Sequence, residues 1–216
     1  MQRMRGGLSN ENHSGERMNI AVFASGKGSN FSAVLKAAEK GIIKPGTILL
    51  VCDTPGAPVL EKAKKAHIPA ALFERKSFRS KQDFEQAILR TLKEYSIDLI
   101  VLAGFMRMLS PEFVRAYKNR ILNIHPSLLP AFKGAHGIKD AFEYGVTITG
   151  VTVHFVDEKM DNGPIILQEH IEIKKNDTLE TLEKKIHTIE HILYPRVIKL
   201  FIEKRLKIKD RKVIIR

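Results

Sequence analysis

The sequence predicts an α/β protein. The expected fold is a doubly wound, mainly parallel twisted sheet with helices on both faces, an antiparallel strand pair near the C-terminal half and a long C-terminal helix. Three observations lead there. Short apolar runs alternate with stretches of helical spacing from Met18 to about Tyr117. The runs are nearly continuous in apolar residues, as strands covered on both faces must be. After Gly150 the rhythm changes to two strand-like runs and one long periodic segment.

Ile20–Ala24 reads as the first strand. Phe31–Lys40 follows as a helix, with Phe31, Val34, Leu35 and Ala38 on one face. Ile48–Cys52 is a strand, Pro58–Ala66 a helix and Ala70–Phe73 a short strand. Ser80–Tyr95 places Phe84, Ile88, Leu89 and Leu92 on one helical face. Asp98–Ala103 and Ile121–Ile124 are buried strands either side of a short helix near Pro111–Tyr117. Val151–Val156 and Ile165–Ile171 form a hairpin-like pair around Asn162-Gly163-Pro164. The last helix spans about Thr178–Glu203, opened by Asp177-Thr178 and an acidic first turn at Glu180.

The length of 216 residues fits one domain, and a 44% hydrophobic share supplies its core. Residues 1–17 read as a flexible N-terminal extension, with Met18 as an alternative start. Residues 18–205 read as the domain, and residues 206–216 as a basic, solvated tail. A single cysteine allows no internal disulfide and no thiolate zinc site, which fits a cytoplasmic protein. No apolar run reaches the roughly 20 residues of a bilayer span. The net charge is +12, but half of it lies between Lys199 and Arg216, where eight cations face two acids. With no tryptophan and no basic stripe interleaved with aromatics, neither a nucleic-acid nor a membrane partner is expected.

Ser25-Gly26-Lys27-Gly28-Ser29-Asn30 joins the first strand to the first helix. Glycines let a ligand approach the backbone, and free N–H groups at a helix start attract anions, so this is a phosphate cradle or simply a tight turn. The Walker pattern fails because Gly28 follows Lys27. The dinucleotide pattern fails at Phe31, although Asp53 could mimic its ribose acid. Further on, Ile121-Leu122-Asn123-Ile124-His125-Pro126 puts Asn123 and His125 on one face at the C-terminal end of a strand. There a carboxamide and an imidazole could both address one oxygen and bind it more strongly as it becomes negative. The same spacing fits a buried polar pair satisfied by loop backbone. Asp161 is either a surface turn acid or a carboxylate that favours the imidazolium form of a histidine.

Together with Asp98–Leu109, Thr152–Asp157 and Asp161–Ile165, these motifs occur in an order that resembles the glycinamide ribonucleotide formyltransferases of purine biosynthesis, over about Met18–Phe201. The resemblance implies formyl transfer from 10-formyltetrahydrofolate to the amine of glycinamide ribonucleotide. It implies Asn123, His125 and Asp161 as catalytic residues, and Gly28, Ser29, Asn30, His187 and Glu190 for the phosphorylated substrate. It implies Lys81, Met106, Arg107, Met108, Leu109, Asn123, Asp157, Glu158, Lys159, Met160 and Asp161 for folate. It also implies a cis Leu129–Pro130 bond, no required metal, and a monomer or homodimer. The alternatives are 10-formyltetrahydrofolate hydrolysis on the same centre and a non-enzymatic nucleotide-binding module. His187-Thr188-Ile189-Glu190-His191 also spells an inverted zinc-protease motif, but a third ligand does not stand out.

Overall fold

The structure, a computed structural model, describes residues 17–216. The extension expected at residues 1–17 therefore lies almost wholly outside the described residues. From the first strand onward the elements are β1 (Ile20–Ala24), α1 (Ser29–Glu39), β2 (Ile48–Cys52), α2 (Pro58–Lys65), β3 (Ala70–Leu72), α3 (Lys81–Glu94), β4 (Leu99–Leu102), α4 (Pro111–Ala116) and β5 (Ile121–His125). They continue as α5 (Gly137–Tyr144), β6 (Ile148–Phe155), β7 (Ile165–Glu172), α6 (Leu179–Ile202), β8 (Leu206–Lys209) and β9 (Lys212–Ile215).

Seven strands form one sheet in the order β3-β2-β1-β4-β5-β6-β7. The first five in that order are parallel, and β6 and β7 are each antiparallel to the strand before them. Alternation along β1 divides the core. Ile20, Val22 and Ala24 face the side covered by α1, α2 and α6, whereas Ala21 and Phe23 face α3 and α4. The chain order reverses between β1 and β4, so the loops after those strands open a crevice at the C-terminal edge.

Helix α6 is fixed to that edge from beneath. The fully buried Tyr194 hydroxyl lies 2.7 Å from the carbonyl oxygen of Leu102 and 3.0 Å from that of Leu122. These carbonyls end β4 and precede Asn123 on β5, so one side chain couples the helix to both strands that carry the crevice. Burial holds the phenol well above its ordinary pKa, and it stays neutral.

Three segments differ from the sequence reading. Residues 206–216 are not a solvated tail but an antiparallel hairpin, β8 with β9. Its charges conceal a period-two pattern, and Leu206, Ile208 and Val213 pack against the main core. Gly150 is not a boundary. It lies inside β6, where an added Cβ would sit 2.1 Å from the Glu169 carbonyl oxygen of β7. Helix α5 was not read at all. It begins at a glycine and has no side-chain cap, so it carries none of the usual start signals.

Replacing Tyr194 with Phe removes only the hydroxyl and its hydrogen bonding to the two strand carbonyls. The expected cost is about 1–3 kcal/mol, read as a lower urea midpoint with an unchanged slope. An unchanged midpoint would show that this link contributes nothing.

Candidate active site

The crevice at the C-terminal edge is a cleft of about 540 Å³. It is lined by Gly28, Ser29, Asn30, His187 and Glu190 at one end and by Asn123, His125 and Asp161 at its centre. Met106–Leu109 and Asp157–Met160 form the remaining walls. Every site residue expected from the sequence is thus in one cavity except Lys81. That lysine starts α3, does not line the cleft, and reaches Glu85 at 3.8 Å.

At the first end, Gly28 precedes α1 with a left-handed backbone, φ +66°, and no side chain caps the helix. The leading N–H groups of α1 therefore face the cleft with the positive end of its dipole. Gly28 is required twice over, since an added Cβ would also lie 2.4 Å from Val59 Cγ2. The loop after β1 is tied to the loop after β4: Ser25 N–H donates to the Gly104 carbonyl, and Ser25 Oγ accepts from Met106 N–H. The buried Glu190 carboxylate accepts from Asn30 Nδ2 at 3.0 Å and lies 2.9 Å from His187 Nδ1. That bond raises the His187 pKa against the opposing effect of burial, favouring imidazolium. Asn30 Oδ1 is buried without a partner.

At the centre, β5 carries Asn123 and His125, and the β6–β7 loop carries Asp161. His125 is 4% exposed, and its Nε2 lies 2.7 Å from the Phe132 carbonyl oxygen. A carbonyl only accepts, so Nε2 carries a proton and Nδ1 faces Asp161 Oδ2 at 3.5 Å. Asp161 Oδ2 accepts Gly134 N–H at 2.8 Å, and Oδ1 accepts Asn123 Nδ2 at 3.3 Å. Gly137, the first residue of α5, packs so closely that an added Cβ would lie 3.1 Å from His125 Nε2.

Sequence reasoning missed His154. Its Nδ1 lies 2.8 Å from the Phe155 carbonyl oxygen, which fixes the proton there. Burial lowers its pKa, so the ring is neutral and Nε2 accepts from Asn123 Nδ2 at 3.2 Å. The register was the available signal: β6 runs antiparallel to β5 with His154 opposite Asn123. The Ser127–Pro130 turn is held by Thr152 Oγ1, which donates to the Ser127 carbonyl and accepts Leu129 N–H. The Leu129–Pro130 bond is cis.

In the folate-expected walls, Met106 and Met108 are 70% and 53% exposed, leaving polarisable apolar surface for a flat ring. Arg107 is already engaged by buried Asp53, which removes Asp53 from any ribose-binding role. The β6–β7 loop closes on itself through Asn162 Nδ2 and Lys159 N–H, both donating to Asp157. Gly163 makes this possible, as an added Cβ would lie 1.8 Å from the Phe155 carbonyl oxygen. From the C-terminal hairpin, Arg211 donates to the Asn162 carbonyl at 2.6 Å. His187 and His191 stack with ring centroids 6.4 Å apart, and among the described residues no group of three His, Cys, Asp or Glu is placed to hold a metal.

A Gly28→Ala substitution forces a strained backbone and a clash with Val59. It is expected to cost about 1–3 kcal/mol and to weaken binding of inorganic phosphate in calorimetry. Wild-type phosphate affinity would show that α1 does not hold the anion.

Comparison with known proteins agrees with this architecture. Residues 18–198 match the family model described as formyl transferase. A phosphoribosylglycinamide formyltransferase of Bacillus subtilis is 51% identical over 180 residues, covering 83% of this chain and 92% of that protein. The glycinamide ribonucleotide transformylase 1 structure from Symbiobacterium toebii superposes with a TM-score of 0.90 at 41% identity, covering 93% of this chain and 95% of that one. The corresponding enzyme from Geobacillus kaustophilus gives 0.84 at 49% identity, covering 86% and 99%. With the model matched along most of its length, the chain belongs to the formyl transferase family.

Proposed function

We propose that the cleft transfers the formyl group of 10-formyltetrahydrofolate to the amine of glycinamide ribonucleotide, in purine biosynthesis. One observation carries the reading. The anion-attracting end of α1 and the Asn123–His125–Asp161 cluster open into the same cleft, so a substrate anchored by its phosphate can present its other end to the cluster. The names of the relatives that match most of this chain agree with it.

Gly28, Ser29 and Asn30 hold the phosphate through backbone N–H groups, and the His187 imidazolium adds charge. Glu190 accepts from ribose hydroxyls. The folate ring lies between Met106–Leu109 and Asp157–Asp161, where Arg107 contributes its backbone because Asp53 holds its guanidinium. No metal is called for.

Asn123 Nδ2 has two N–H groups, spent on His154 and Asp161. It releases the longer bond, to Asp161, and donates to the formyl oxygen. The substrate amine attacks the formyl carbon, a C–N bond forms, and the carbonyl electrons move onto oxygen. That oxyanion is met by Asn123 and by a proton on His125 Nδ1. Asp161, freed from Asn123, holds the water that removes the amine proton. The bond to folate N10 then breaks as that nitrogen takes a proton, giving tetrahydrofolate and the formylated amide.

Folate product formed from 10-formyltetrahydrofolate should require glycinamide ribonucleotide. Equal turnover without the acceptor would make the chain a hydrolase, and none with it would leave a non-enzymatic module. Asn123→Ala and His125→Ala should each lower kcat about 10²–10⁴-fold while phosphorylated-substrate binding is kept. Near-normal kcat in either variant would remove that residue from the mechanism. Because Glu190 raises the His187 pKa, the imidazolium is present at low pH and lost as pH rises through that raised value. The KM for glycinamide ribonucleotide should therefore climb with pH, and His187→Gln should flatten the climb. An identical profile in the variant would exclude His187 from phosphate binding.

A further inference from the structure

Behind the first turn of α1, between α1 and α6, lies a second concavity of about 810 Å³ that shares Ser29 with the cleft. Three helical segments contribute cations to it: Lys36 and Lys40 on and just past α1, Lys62 on α2, and Arg196 and Lys199 on α6. Among the described residues no carboxylate lines it. Lys199 reaches Glu203 at 3.7 Å, but among the described residues no acid pairs with Lys36, Lys40, Lys62 or Arg196. Five like charges around one depression repel each other and create a local positive potential. The walls also expose Ile42 and Ile192, at 45% and 65%.

His191 lines the groove, and its Nε2 is buried with no hydrogen-bond partner. The charged and titratable groups facing this ring are Glu190 and His187 from α6, Lys36 from α1 and Lys62 from α2. Burial, then His187, Lys36 and Lys62, hold its pKa below the ordinary value against the opposing pull of Glu190. The ring is therefore neutral while the lysines lack a counter-ion.

We propose that this groove is a second anion site, built for the polyphosphate group of a small molecule. Five cations spread over three segments exceed what one phosphate needs, and the volume lies in the roughly 300–1,000 Å³ range of small-molecule sites. The exposed isoleucines would take an organic portion. A bound polyphosphate neutralises Lys36 and Lys62, two of the charges that hold the His191 ring neutral, so His191 takes up a proton on binding. Since Ser29 borders both cavities and His187 stacks on His191, the groove adjoins the end of the cleft that holds the substrate phosphate. The site stands whether or not the cleft transfers formyl groups.

The test is calorimetric titration of the full chain with inorganic pyrophosphate and, separately, adenosine triphosphate. The combined variant Lys36→Gln, Arg196→Gln, Lys199→Gln should weaken binding of at least one of them tenfold or more, while the cleft variant His187→Ala keeps that binding. Tighter binding of the nucleotide than of pyrophosphate would identify a nucleoside polyphosphate, and equal binding an inorganic one. Titrations in buffers of different ionisation enthalpy should show proton uptake that His191→Asn abolishes. The proposal is overturned if the wild type binds neither probe, if the triple variant binds both probes like the wild type, or if His187→Ala abolishes all binding.

Discussion

The Asp161 carboxylate is the constraint on which the site is built. Its side chain is only 10% exposed, and its two oxygens hold three separate stretches of chain. One takes Gly134 N–H from the loop after β5, and the other takes the Asn123 amide from β5 itself. The His125 and His154 rings approach at 3.5 and 3.8 Å. A buried carboxylate without such donors would cost several kcal/mol, on the order of the penalty for an unpaired interior ion. The loop after β5, the β6–β7 loop and β5 are thus tied together through one charge that has to be satisfied.

The sheet explains how that charge comes to the right place. Five parallel strands put the ends of β1, β4 and β5 along one edge. The antiparallel β6 runs beside β5 and ends at Phe155, level with Leu122, and the loop that follows turns back to bring Asp161 to Asn123 and His125. His154 arrives opposite Asn123 by the same register. The change of strand direction therefore supplies both partners of the Asn123 amide.

Much of this was legible because it depends on local patterns. Continuous apolar runs marked β1, β2 and β4, a largely apolar one marked β5, and their alternation with helices marked the parallel sheet. The glycine-rich turn at residues 26–30 and the Asn123–His125 spacing identified one end and the centre of the cleft. What was hidden depends on distance. No spacing joins Asp161 to Gly134 or His154 to Asn123, since the first contact comes from two loops meeting and the second from strand register. The family resemblance supplied Asp161 in the right region but also Lys81, whose ammonium is turned to Glu85. The C-terminal hairpin was hidden for another reason: a count of lysines and arginines masks the alternation of Leu206, Ile208 and Val213.

The packing beneath Gly28 bears on how the cleft meets its ligand. Val59 stands where a side chain at that position would be, Val59 N–H donates to the Gly26 carbonyl, and Lys62 Nζ lies 3.4 Å from the Gly28 carbonyl oxygen. The shape of the turn is set by α2 below it, not by whatever lies above. Its conformational entropy is surrendered during folding, so an arriving anion need not order it. Residues 28 and 59 are bound in their histories as well: while Val59 fills the space beside the turn, residue 28 has neither the room nor the backbone for anything but glycine.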